Sequence, residues 1–550
     1  MKSKNYKSTS KIFIVFTLFC FAVIVVRTSY LALSTKIDGI NIKEFASDRT
    51  IVKTSIPASR GTIYDVNGDV LAQNVSSYTL IAYLDPKRSE NQKKLYHVED
   101  KVTTAEKLST VIDMKKEDIL SILNQEGLYQ VEFGYAGKNL TEMEKEKIEA
   151  LSLPGIDFIE NEKRYYPNGD FASYTIGYAK KNENGIITGE LGIEALLNSA
   201  LKGVDGEITY QKDRDGYKIA GTKELRVDAK NGDDIYLTID SNIELFVEQA
   251  LRENFSKYPS EWAVAVVADA KTGKILAASQ KPSYDPNVLN IENYLDITVS
   301  EPYEPGSIMK IYTYMAAMER GTYDGTKKFT SGKYVLEDGT VINDWNPYGW
   351  GDITYDQGFQ ASSNVGVINI VNNFIDKNIL KDYFKKAGFG EKTGITLANE
   401  QSGKIGFTYE SEVYNAAFGQ GITTTPMQHI QALTSIANDG VMLRPYIVDK
   451  IVNSDGEIIY KGEKTEVATI ASKKTTDYIR QLMYDTVHSS WSAATATMYK
   501  VPGYDVIGKT GIQKIFEQYL KGEDGVKQID MAVDGSITSE YVSKEAVAGS

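Results

Sequence analysis

The chain has 550 residues, of which 42% are hydrophobic and 25% charged, a composition that predicts two or three globular domains at roughly 100–200 residues each and excludes overall disorder or a fibrous repeat. The net charge of −13, from 61 Lys and Arg against 74 Asp and Glu, argues against a nucleic-acid partner, because nucleic acids are bound largely through Lys and Arg. A single cysteine allows no internal disulfide and no thiolate metal cluster, and three widely separated histidines leave little room for a metal enzyme.

The N-terminus carries the long apolar run of the chain. Residues 12–33 are apolar apart from Arg27 and a few hydroxyl side chains, and their length is close to the ~20 residues that span a bilayer. Lysines cluster in the preceding segment, so the positive-inside rule places residues 1–11 in the cytoplasm and everything after Leu33 outside. A cleaved signal peptide is the alternative, but no clear small-x-small cleavage site is present, so we favour an uncleaved single-pass anchor.

Residues 34–232 are predicted to form a strand-rich domain with a helical segment inside it. Short strand-like runs separated by polar turns come first, and the pattern of residues 103–152 is helical. Thr141 and Glu144 form a capping box at the start of one of these helices. The turn Asn231–Asp234 marks the end of this domain.

From residue 233 the order of elements changes to a strand, a long helix and a hairpin. The strand is predicted at residues 235–239 and the helix at residues 242–255. The runs 262–268 and 275–279 are joined by a Thr-Gly turn and form the hairpin. Strands and helices alternate without the spacing of βαβ units, which favours an α+β domain.

With so few histidines, an enzyme of this sequence must draw its acid–base chemistry from Lys, Ser, Tyr or carboxylates. The first candidate is Ser307, which opens a helix after Pro305 and Gly306 have broken the preceding segment. Lys310 follows one turn later on the same face, and a neutral lysine there can take the serine proton. The same Ser-x-x-Lys spacing also occurs at residues 8–11 and 199–202, so the motif alone is weak evidence.

Two further motifs follow along the chain. Ser362 and Asn364 lie at a turn before a helical run, where an isolated Ser-x-Asn more often caps the helix. Lys-Thr-Gly begins at Lys271, Lys392 and Lys509, and only the last copy follows a strand-like segment. In that copy Gly511 removes side-chain bulk where another backbone comes close, and a ligand can pair with this strand as an added strand.

Ser-x-x-Lys, Ser-x-Asn and Lys-Thr-Gly in this order, outside a membrane anchor, are the motif set of penicillin-binding proteins and class A β-lactamases. The chain closely resembles the class B penicillin-binding proteins, which are monofunctional peptidoglycan D,D-transpeptidases. The segment from Glu304 to Ser307 is slightly more like the division-type members than the elongation-type ones. Other family boxes recur at Arg60–Ala72, Arg164–Gly169, Ile176–Tyr178, Gly189–Glu194, Gly419–Gln428 and Ala437–Gly440.

The resemblance implies a multidomain α+β protein with a serine β-lactamase-like catalytic domain, in which an antiparallel sheet is flanked by helices. Gln513–Ser550 does not resemble the strands and closing helix that end this family, and it contains no convincing apolar strand. The predicted parts are a cytoplasmic tail (1–11), a transmembrane anchor (12–33), a non-catalytic pedestal or dimerisation-type domain (34–232), a transpeptidase domain (233–511) and an atypical or truncated tail (512–550).

The resemblance also implies a role for each catalytic residue. Ser307 attacks the D-Ala-D-Ala carbonyl of a stem peptide and forms an acyl-enzyme, with Lys310 as its base. Ser362 passes the proton to the leaving D-Ala, while Asn364 holds Lys310 and the substrate amide. An amine from a neighbouring strand then resolves the ester, and penicillins acylate the same serine. No metal or organic cofactor is needed.

The substrate-binding residues implied by the resemblance are Lys509, Thr510, Gly511 and Ile512. Lys509 and Thr510 orient the site and bind the terminal carboxylate, and the backbone N–H groups of Ser307 and Ile512 form the oxyanion hole. The family has threonine at the position of Ile512, so this chain lacks a hydroxyl that helps to hold the carboxylate.

The expected partners are stem peptides, penicillins, a membrane glycan polymerase and proteins of the cell-wall or division complex, with no nucleic acid. Two alternatives stay open. One is hydrolysis, as a D,D-carboxypeptidase or β-lactamase, and the other is a weakly active or inactive scaffold of the cell-wall machinery, which Ile512 and the unusual tail suggest.

Overall fold

The computed structural model describes residues 4–34, 36–37, 40–41, 51–183, 185–212, 218–219, 224–258, 260–514, 526–531 and 537–542. The chain divides into two compact units. The first consists of Met1–Ala58 and Val204–Asn231, and the second of Ser59–Gly203 and Gly232–Ser550. Most of the predicted pedestal therefore packs in the same unit as the predicted transpeptidase domain.

The first unit contains the apolar N-terminal helix and a small sheet. The helix spans Lys4–Leu33, and its part Ser10–Leu33 is long and apolar enough to cross a membrane. Its apolar side chains are exposed, as expected of a lipid-facing helix rather than a core helix. The strands of this unit are Lys36–Ile37 paired with Ile40–Asn41, and a three-stranded antiparallel sheet in the order Leu225–Val227, Gly206–Gln211, Ile51–Ile56.

In the second unit a seven-stranded sheet runs through both sides of the predicted boundary at residues 232/233. Asp234–Leu237 pairs in parallel with Ile63–Tyr64 and antiparallel with Val448–Val452. A continuous hydrophobic core joins the same parts of the chain, so no break in packing accompanies the sequence boundary. The strands follow the order Ile458–Lys461, Val448–Val452, Asp234–Leu237, Ile63–Tyr64, Val70–Tyr83, with Gln130–Glu132 and Ile156–Tyr165 both paired to Val70–Tyr83.

The rest of Ser59–Gly203 is mainly helical, as predicted for residues 103–152. The capping box is confirmed: Thr141 Oγ1 accepts from the N–H of Glu144, and the Glu144 carboxylate accepts from the N–H of Thr141. The α-helices are Lys101–Leu108, Lys116–Leu123, Glu142–Ala150, Ser173–Ile176, Gly192–Leu196 and Asn198–Leu201, the 3₁₀ turns are Pro86–Ser89 and Gly134–Gly137, and a hairpin pairs Ala179–Lys181 with Ile187–Gly189.

The part from Gly232 onward places helices around several antiparallel strand pairs. The predicted hairpin is present as Ala263–Ala268 and Ile275–Lys281, and the predicted helix is Ser241–Lys257. The other helices are Ile297–Ser300, Lys310–Glu319, Tyr355–Gln360, Asn364–Phe374, Lys377–Lys386, Glu410–Ala417, Pro426–Ala437 and Lys473–His488, with 3₁₀ turns at Gly306–Met309 and Thr497–Tyr499. The remaining strand pairs are Lys328–Thr330 with Asp352–Thr354, Lys333–Val335 with Val341–Asn343, and Val441–Leu443 with Glu466–Thr469.

The tail contains two strands, although its sequence has no convincing apolar strand. Gly511–Lys514 pairs antiparallel with Val526–Met531, which in turn pairs with Ile537–Val542. Val526–Met531 alternates polar and apolar residues over its last four positions, whereas Ile537–Val542 does not alternate, so neither strand is easy to recognise from its own sequence.

The core of this part is built around the helix Lys310–Glu319. Its side chains from Lys310 to Ala317 are all buried, including the rings of Tyr312 and Tyr314. A helix enclosed on all sides cannot shift without opening the core, because protein interiors are close-packed. It is therefore a rigid base for the turn that precedes it.

Candidate active site

Ser307 lies in the 3₁₀ turn Gly306–Met309, which continues directly into the helix Lys310–Glu319. We predicted that Ser307 opens a helix, and the structure differs only in that the first turn is 3₁₀. Ser307 is half-buried, whereas Ile308 and Met309 beside it are buried, so the turn is anchored from within while the serine is partly accessible. Gly321 follows the last turn of this helix with φ +75°, the left-handed conformation of a glycine that ends a helix.

Lys310 is fully buried and its amine bonds to the Ser-x-Asn motif. Lys310 Nζ donates to the backbone oxygen of Ser362 at 2.5 Å and to Asn364 Oδ1 at 2.8 Å, and it lies 3.3 Å from Ser362 Oγ. A neutral amine has two N–H groups, which the two short contacts use, so its lone pair is left to accept a proton. The structure thus brings together Lys310, Ser362 and Asn364, which are far apart in the sequence.

Lys509 reaches the same serine from the Lys-Thr-Gly motif. Lys509 Nζ donates to Ser362 Oγ at 2.7 Å and to the backbone oxygen of Thr510 at 2.8 Å. It also lies 5.8 Å from the centre of the Phe359 ring. The three sequence motifs therefore meet at the hydroxyl of Ser362.

Burial changes the protonation of both lysines. Desolvation lowers the pKa of Lys310 to about 7, although the negative charge of Asp344 opposes this shift. Desolvation, together with the charge of Lys310, holds the pKa of Lys509 well below its usual value. Near neutral pH the site therefore contains a neutral amine that can act as a base.

Ser362 has a left-handed backbone, with φ +55°, which is uncommon for a residue other than glycine. Its N–H donates to the backbone oxygen of Phe359 at 3.1 Å, and its own oxygen accepts from Lys310. Contacts on both sides hold the strained conformation, and such strain is concentrated at functional sites.

The helix-capping interpretation of this motif is correct for the neighbouring residue. Ser363 Oγ accepts from the N–H of Gly366 at 2.8 Å and so caps the helix Asn364–Phe374. Within this motif Ser363 caps the helix, whereas Ser362 and Asn364 contact Lys310.

Asp344 is a buried residue of the site that sequence reasoning missed. Its Oδ1 accepts from Ser363 Oγ at 2.8 Å and from the N–H of Val365 at 3.0 Å, and its Oδ2 accepts from the N–H of Gly332 at 2.8 Å. The carboxylate therefore fixes the Ser-x-Asn turn and supplies a negative charge near Lys310. In the sequence nothing separates Asp344 from the many other carboxylates of the chain.

Gly511 brings the strand Gly511–Lys514 against the nucleophile turn. A Cβ at this position would lie 3.2 Å from Ile308 Cγ2 and 3.4 Å from the backbone oxygen of Pro305. Gly511 therefore stands where the strand lies close to Ile308 and to the backbone of Pro305, and its role in substrate binding remains a prediction. The backbone of Ile512 is part of this strand and pairs with Asp530, while its side chain lies outside the described part of the chain.

The box Gly419–Gln428 supports the other side of the turn. The N–H of Gly306 donates to the backbone oxygen of Gly419 at 3.0 Å. Gly419 has φ +90°, and a Cβ there would lie 1.9 Å from the backbone oxygen of Gly306, so only glycine fits. This loop and the strand at Gly511 hold the turn of Ser307 between them.

The other copies of the motifs have structural contacts of their own. Lys271 lies in the hairpin turn and donates to the backbone oxygen of Ala437. In the second copy of Lys-Thr-Gly, Thr393 donates to Glu400 through both its hydroxyl and its N–H, at 2.5 and 2.7 Å. Ser199 lies within the short helix Asn198–Leu201.

The buried histidine does not provide a serine–histidine site. His429 Nε2 lies 2.8 Å from Thr424 Oγ1, and its ring packs against Tyr303, Tyr312 and Phe389. Burial lowers the pKa of His429 to about 3, so the ring is neutral at pH 7. Its contacts are those of a core residue.

Comparison with known proteins agrees with this arrangement. Residues 263–533 match the penicillin binding protein transpeptidase domain, and residues 55–237 match the penicillin-binding protein dimerisation domain. The first match includes residues of the tail, up to position 533. The predicted boundaries at residues 34, 233 and 511 remain predictions.

Similar proteins cover most of the chain. Stage V sporulation protein D of Bacillus subtilis is 29% identical over 531 residues, covering 94% of this chain and 78% of that protein. The probable peptidoglycan D,D-transpeptidase PenA of Neisseria meningitidis is 28% identical over 505 residues, covering 90% and 80%. The crystal structure of penicillin binding protein 2X from Streptococcus thermophilus superimposes with a TM-score of 0.70 at 28% identity, covering 90% and 77%. The chain therefore belongs to the class B penicillin-binding proteins, the serine-type peptidoglycan D,D-transpeptidases.

Proposed function

We propose that Ser307 is the nucleophile of this transpeptidase, that it forms an acyl-enzyme with the D-Ala-D-Ala end of a stem peptide, and that penicillins acylate the same residue. The observation that carries the proposal is the convergence of Lys310 and Lys509 on Ser362, next to the rigid turn that presents Ser307. Among the described residues, Ser362 is the serine whose hydroxyl is contacted by two buried lysines, and it lies across the site from the turn of Ser307.

Lys310 acts as the base in the first step. Its amine is neutral in a large share of molecules near pH 7, because burial lowers its pKa to about 7. It removes the proton of Ser307 as the serine oxygen attacks the carbonyl. Asn364 and the backbone oxygen of Ser362 keep the lone pair in position by binding the two N–H groups of the amine.

Ser362 returns the proton to the leaving group. Its hydroxyl lies between the two lysines, so it can accept a proton from Lys310 and donate its own to the nitrogen of the departing D-Ala. The peptide C–N bond breaks, D-Ala leaves as a neutral amine, and the acyl group stays on Ser307.

The substrate is held by the strand and by backbone N–H groups. Ser307 and Ile512 supply the two N–H donors that stabilise the oxyanion, and a peptide substrate pairs with the strand that starts at Gly511. Lys509 and Thr510 face the terminal carboxylate. In the second half of the reaction an acceptor amine attacks the ester and gives up a proton, which passes through Ser362 to Lys310. The bond to Ser307 Oγ then breaks, and Lys310 returns this proton to the serine.

The experiment that tests this function separates transfer from hydrolysis. The purified protein is incubated with an N-acylated D-Ala-D-Ala stem peptide, with and without an added amine acceptor. A transpeptidase releases D-Ala and forms a cross-linked product with the acceptor, and Ser307→Ala abolishes both. Release of D-Ala with no cross-linked product favours a D,D-carboxypeptidase, and absence of both products in the native protein favours the scaffold.

We further propose that the helix Lys4–Leu33 anchors the protein with residues 1–11 in the cytoplasm and the catalytic domain outside. The exposed apolar surface of this helix supports membrane anchoring. The lysines among residues 1–11 support the cytoplasmic orientation of the N-terminus. Through the anchor and the pedestal, the protein would meet a membrane glycan polymerase and other cell-wall proteins, and the Glu304–Ser307 segment favours a division complex.

The chain is well suited to a test of this topology, because Cys20 is its single cysteine. Replacing Cys20 by Ala gives a background for Ser3→Cys and Ser55→Cys. In intact cells a membrane-impermeant maleimide should label the variant at position 55 and spare the variant at position 3. Labelling of position 3 in intact cells contradicts the proposed orientation.

A further inference from the structure

Thr495 lies in a loop before Lys-Thr-Gly, and its hydroxyl is bonded to Thr510. Thr510 Oγ1 donates to Thr495 Oγ1 at 2.8 Å, and both side chains are partly exposed. Thr495 also donates through its N–H to the backbone oxygen of Gln360 at 3.0 Å. Gln360 ends the helix that precedes Ser362, so Thr495 is tied to both walls of the site.

The loop that carries Thr495 is firmly held. Ala493, Ala494 and Ala496 beside it are buried, so the threonine is the partly exposed residue between buried neighbours. Its hydroxyl donates to the backbone oxygen of Gln360 at 3.3 Å, which is long for an O–H···O hydrogen bond. A carboxylate oxygen can therefore replace the Gln360 oxygen as the acceptor of this hydrogen bond at little cost.

A carboxylate bound here needs donors, and the amines offer few. Lys310 already bonds to Ser362 and Asn364, and Lys509 bonds to Ser362 and to the backbone of Thr510. A threonine hydroxyl has one rotatable O–H donor, whereas a carboxylate has two acceptor oxygens. Ile512, two residues after Thr510, has no hydroxyl to contribute.

We infer that Thr495 and Thr510 together form the carboxylate-binding pair of this site, with Thr495 supplying the hydroxyl that Ile512 lacks. This rests on the proposed function, since the carboxylate is that of its D-Ala-D-Ala substrate. On binding, both hydroxyls rotate toward the ligand: Thr510 turns away from Thr495, and Thr495 turns away from Gln360. The N–H bond of Thr495 to Gln360 stays in place.

The test compares a penicillin with its methyl ester, which lacks the charged carboxylate, in second-order acylation of the full-length protein. Thr495→Val removes the hydroxyl at nearly constant shape, and Thr495→Ser keeps it. Thr497→Val is a control at an exposed threonine two residues further on, at the start of the next 3₁₀ turn. We expect Thr495→Val to slow acylation by the acid about tenfold, which corresponds to ~1.4 kcal/mol, and to change that by the ester less than about twofold. Thr495→Ser and Thr497→Val should resemble the native protein with both reagents.

Equal slowing of acid and ester by Thr495→Val would show a structural role and overturn the inference, as would an unchanged rate with the acid. A second measurement does not depend on acylation. In a Ser307→Ala background, calorimetry compares binding of an N-acyl-D-Ala-D-Ala acid with its C-terminal amide. The preference for the acid should fall about tenfold with Thr495→Val. If Thr495→Val loses the preference for the acid but the native protein is never acylated, the proposed function fails and the carboxylate site stands. If Thr495→Val keeps the preference for the acid, the proposed carboxylate site is wrong.

Discussion

Lys310 and Lys509 direct their amines at one acceptor, the hydroxyl oxygen of Ser362, at 3.3 and 2.7 Å. Two ammonium groups this close repel each other, and burial removes the water that would screen them. The pair therefore favours a state in which at least one amine is neutral. The structure offers a base from lysine, one of the residue types that the scarcity of histidine left open.

The first prediction concerns the base itself. Lys310→Arg keeps a basic side chain at this position, but a guanidinium stays protonated and cannot accept the serine proton. We expect acylation by a penicillin to fall on the order of 10²–10⁴-fold, the usual contribution of general base catalysis. The measurement is the second-order acylation rate, with thermal unfolding as a check on folding. If Lys310→Arg reacts at a near-native rate, Lys310 is not the base.

The second prediction is a pH dependence. Because the neutral amine is the active form, acylation should rise with pH and level off above about 7, the pKa to which burial lowers Lys310. The charge of Asp344 raises that pKa, so Asp344→Asn should move the rising limb to lower pH. It should also lower the plateau, since Asp344 holds the Ser-x-Asn turn.

The control for this profile is Asp352→Asn, at an exposed aspartate that bonds to Thr330 on a nearby strand. We expect its rising limb to coincide with that of the native protein. A limb that moves to higher pH in Asp344→Asn, or that does not move, would mean that Asp344 does not act on Lys310.

Asp344 could not be assigned to the site from the sequence, whereas the motif residues could. Ser307, Lys310, Ser362, Asn364 and Lys509 belong to short motifs with fixed spacing, so the sequence alone could assign them to one site. Asp344 reaches the site only because the hairpin of Lys333–Val335 and Val341–Asn343 folds against the helix Asn364–Phe374. A contact made by such folding leaves no local spacing to recognise.

The third prediction tests the close approach of the strand to the nucleophile turn. A methyl group at Gly511 would lie 3.2 Å from Ile308 Cγ2 and 3.4 Å from the oxygen of Pro305, so Gly511→Ala should push the strand away from Ser307. We expect acylation to slow on the order of tenfold, because reactivity depends steeply on position. Gly508→Ala is the matched control, since its Cβ would meet only Val487 Cγ2 at an ordinary 3.7 Å. Similar acylation rates for the two variants would argue that the close contact at Gly511 does not affect the reactivity of Ser307.

The fourth prediction concerns Ile512. A hydroxyl at this position would add a charge-assisted hydrogen bond to the ligand carboxylate beyond those of Thr495 and Thr510, worth ~1.5–3 kcal/mol. Ile512→Thr should therefore react with a penicillin about tenfold faster than the native protein, as ~1.4 kcal/mol implies. Ile512→Val, which also lacks a hydroxyl, separates this effect from a change in size. If Ile512→Thr reacts no faster than Ile512→Val, the carboxylate is held by other residues, and a hydroxyl at position 512 adds nothing to its binding.

The strand pairing across the predicted domain boundary could not be read from the sequence. The sequence places a turn at Asn231–Asp234, and a turn with a change in element pattern is a natural place for a boundary. In the structure the strand Asp234–Leu237 directly after this turn pairs with Ile63–Tyr64, so the sheet continues across it. Pairing between strands so distant in sequence depends on the whole fold, and local patterns do not encode it.

The central claim is that Ser307 carries the acyl group. The direct measurement is mass spectrometry of the full-length protein after reaction with a penicillin, followed by digestion to locate the adduct. Ser300→Ala, at a buried serine that donates to Asp296, is the matched control. We predict one adduct on the peptide that contains Ser307, present in the native protein and in Ser300→Ala and absent from Ser307→Ala. An adduct on another residue, or full labelling of Ser307→Ala, would contradict the account.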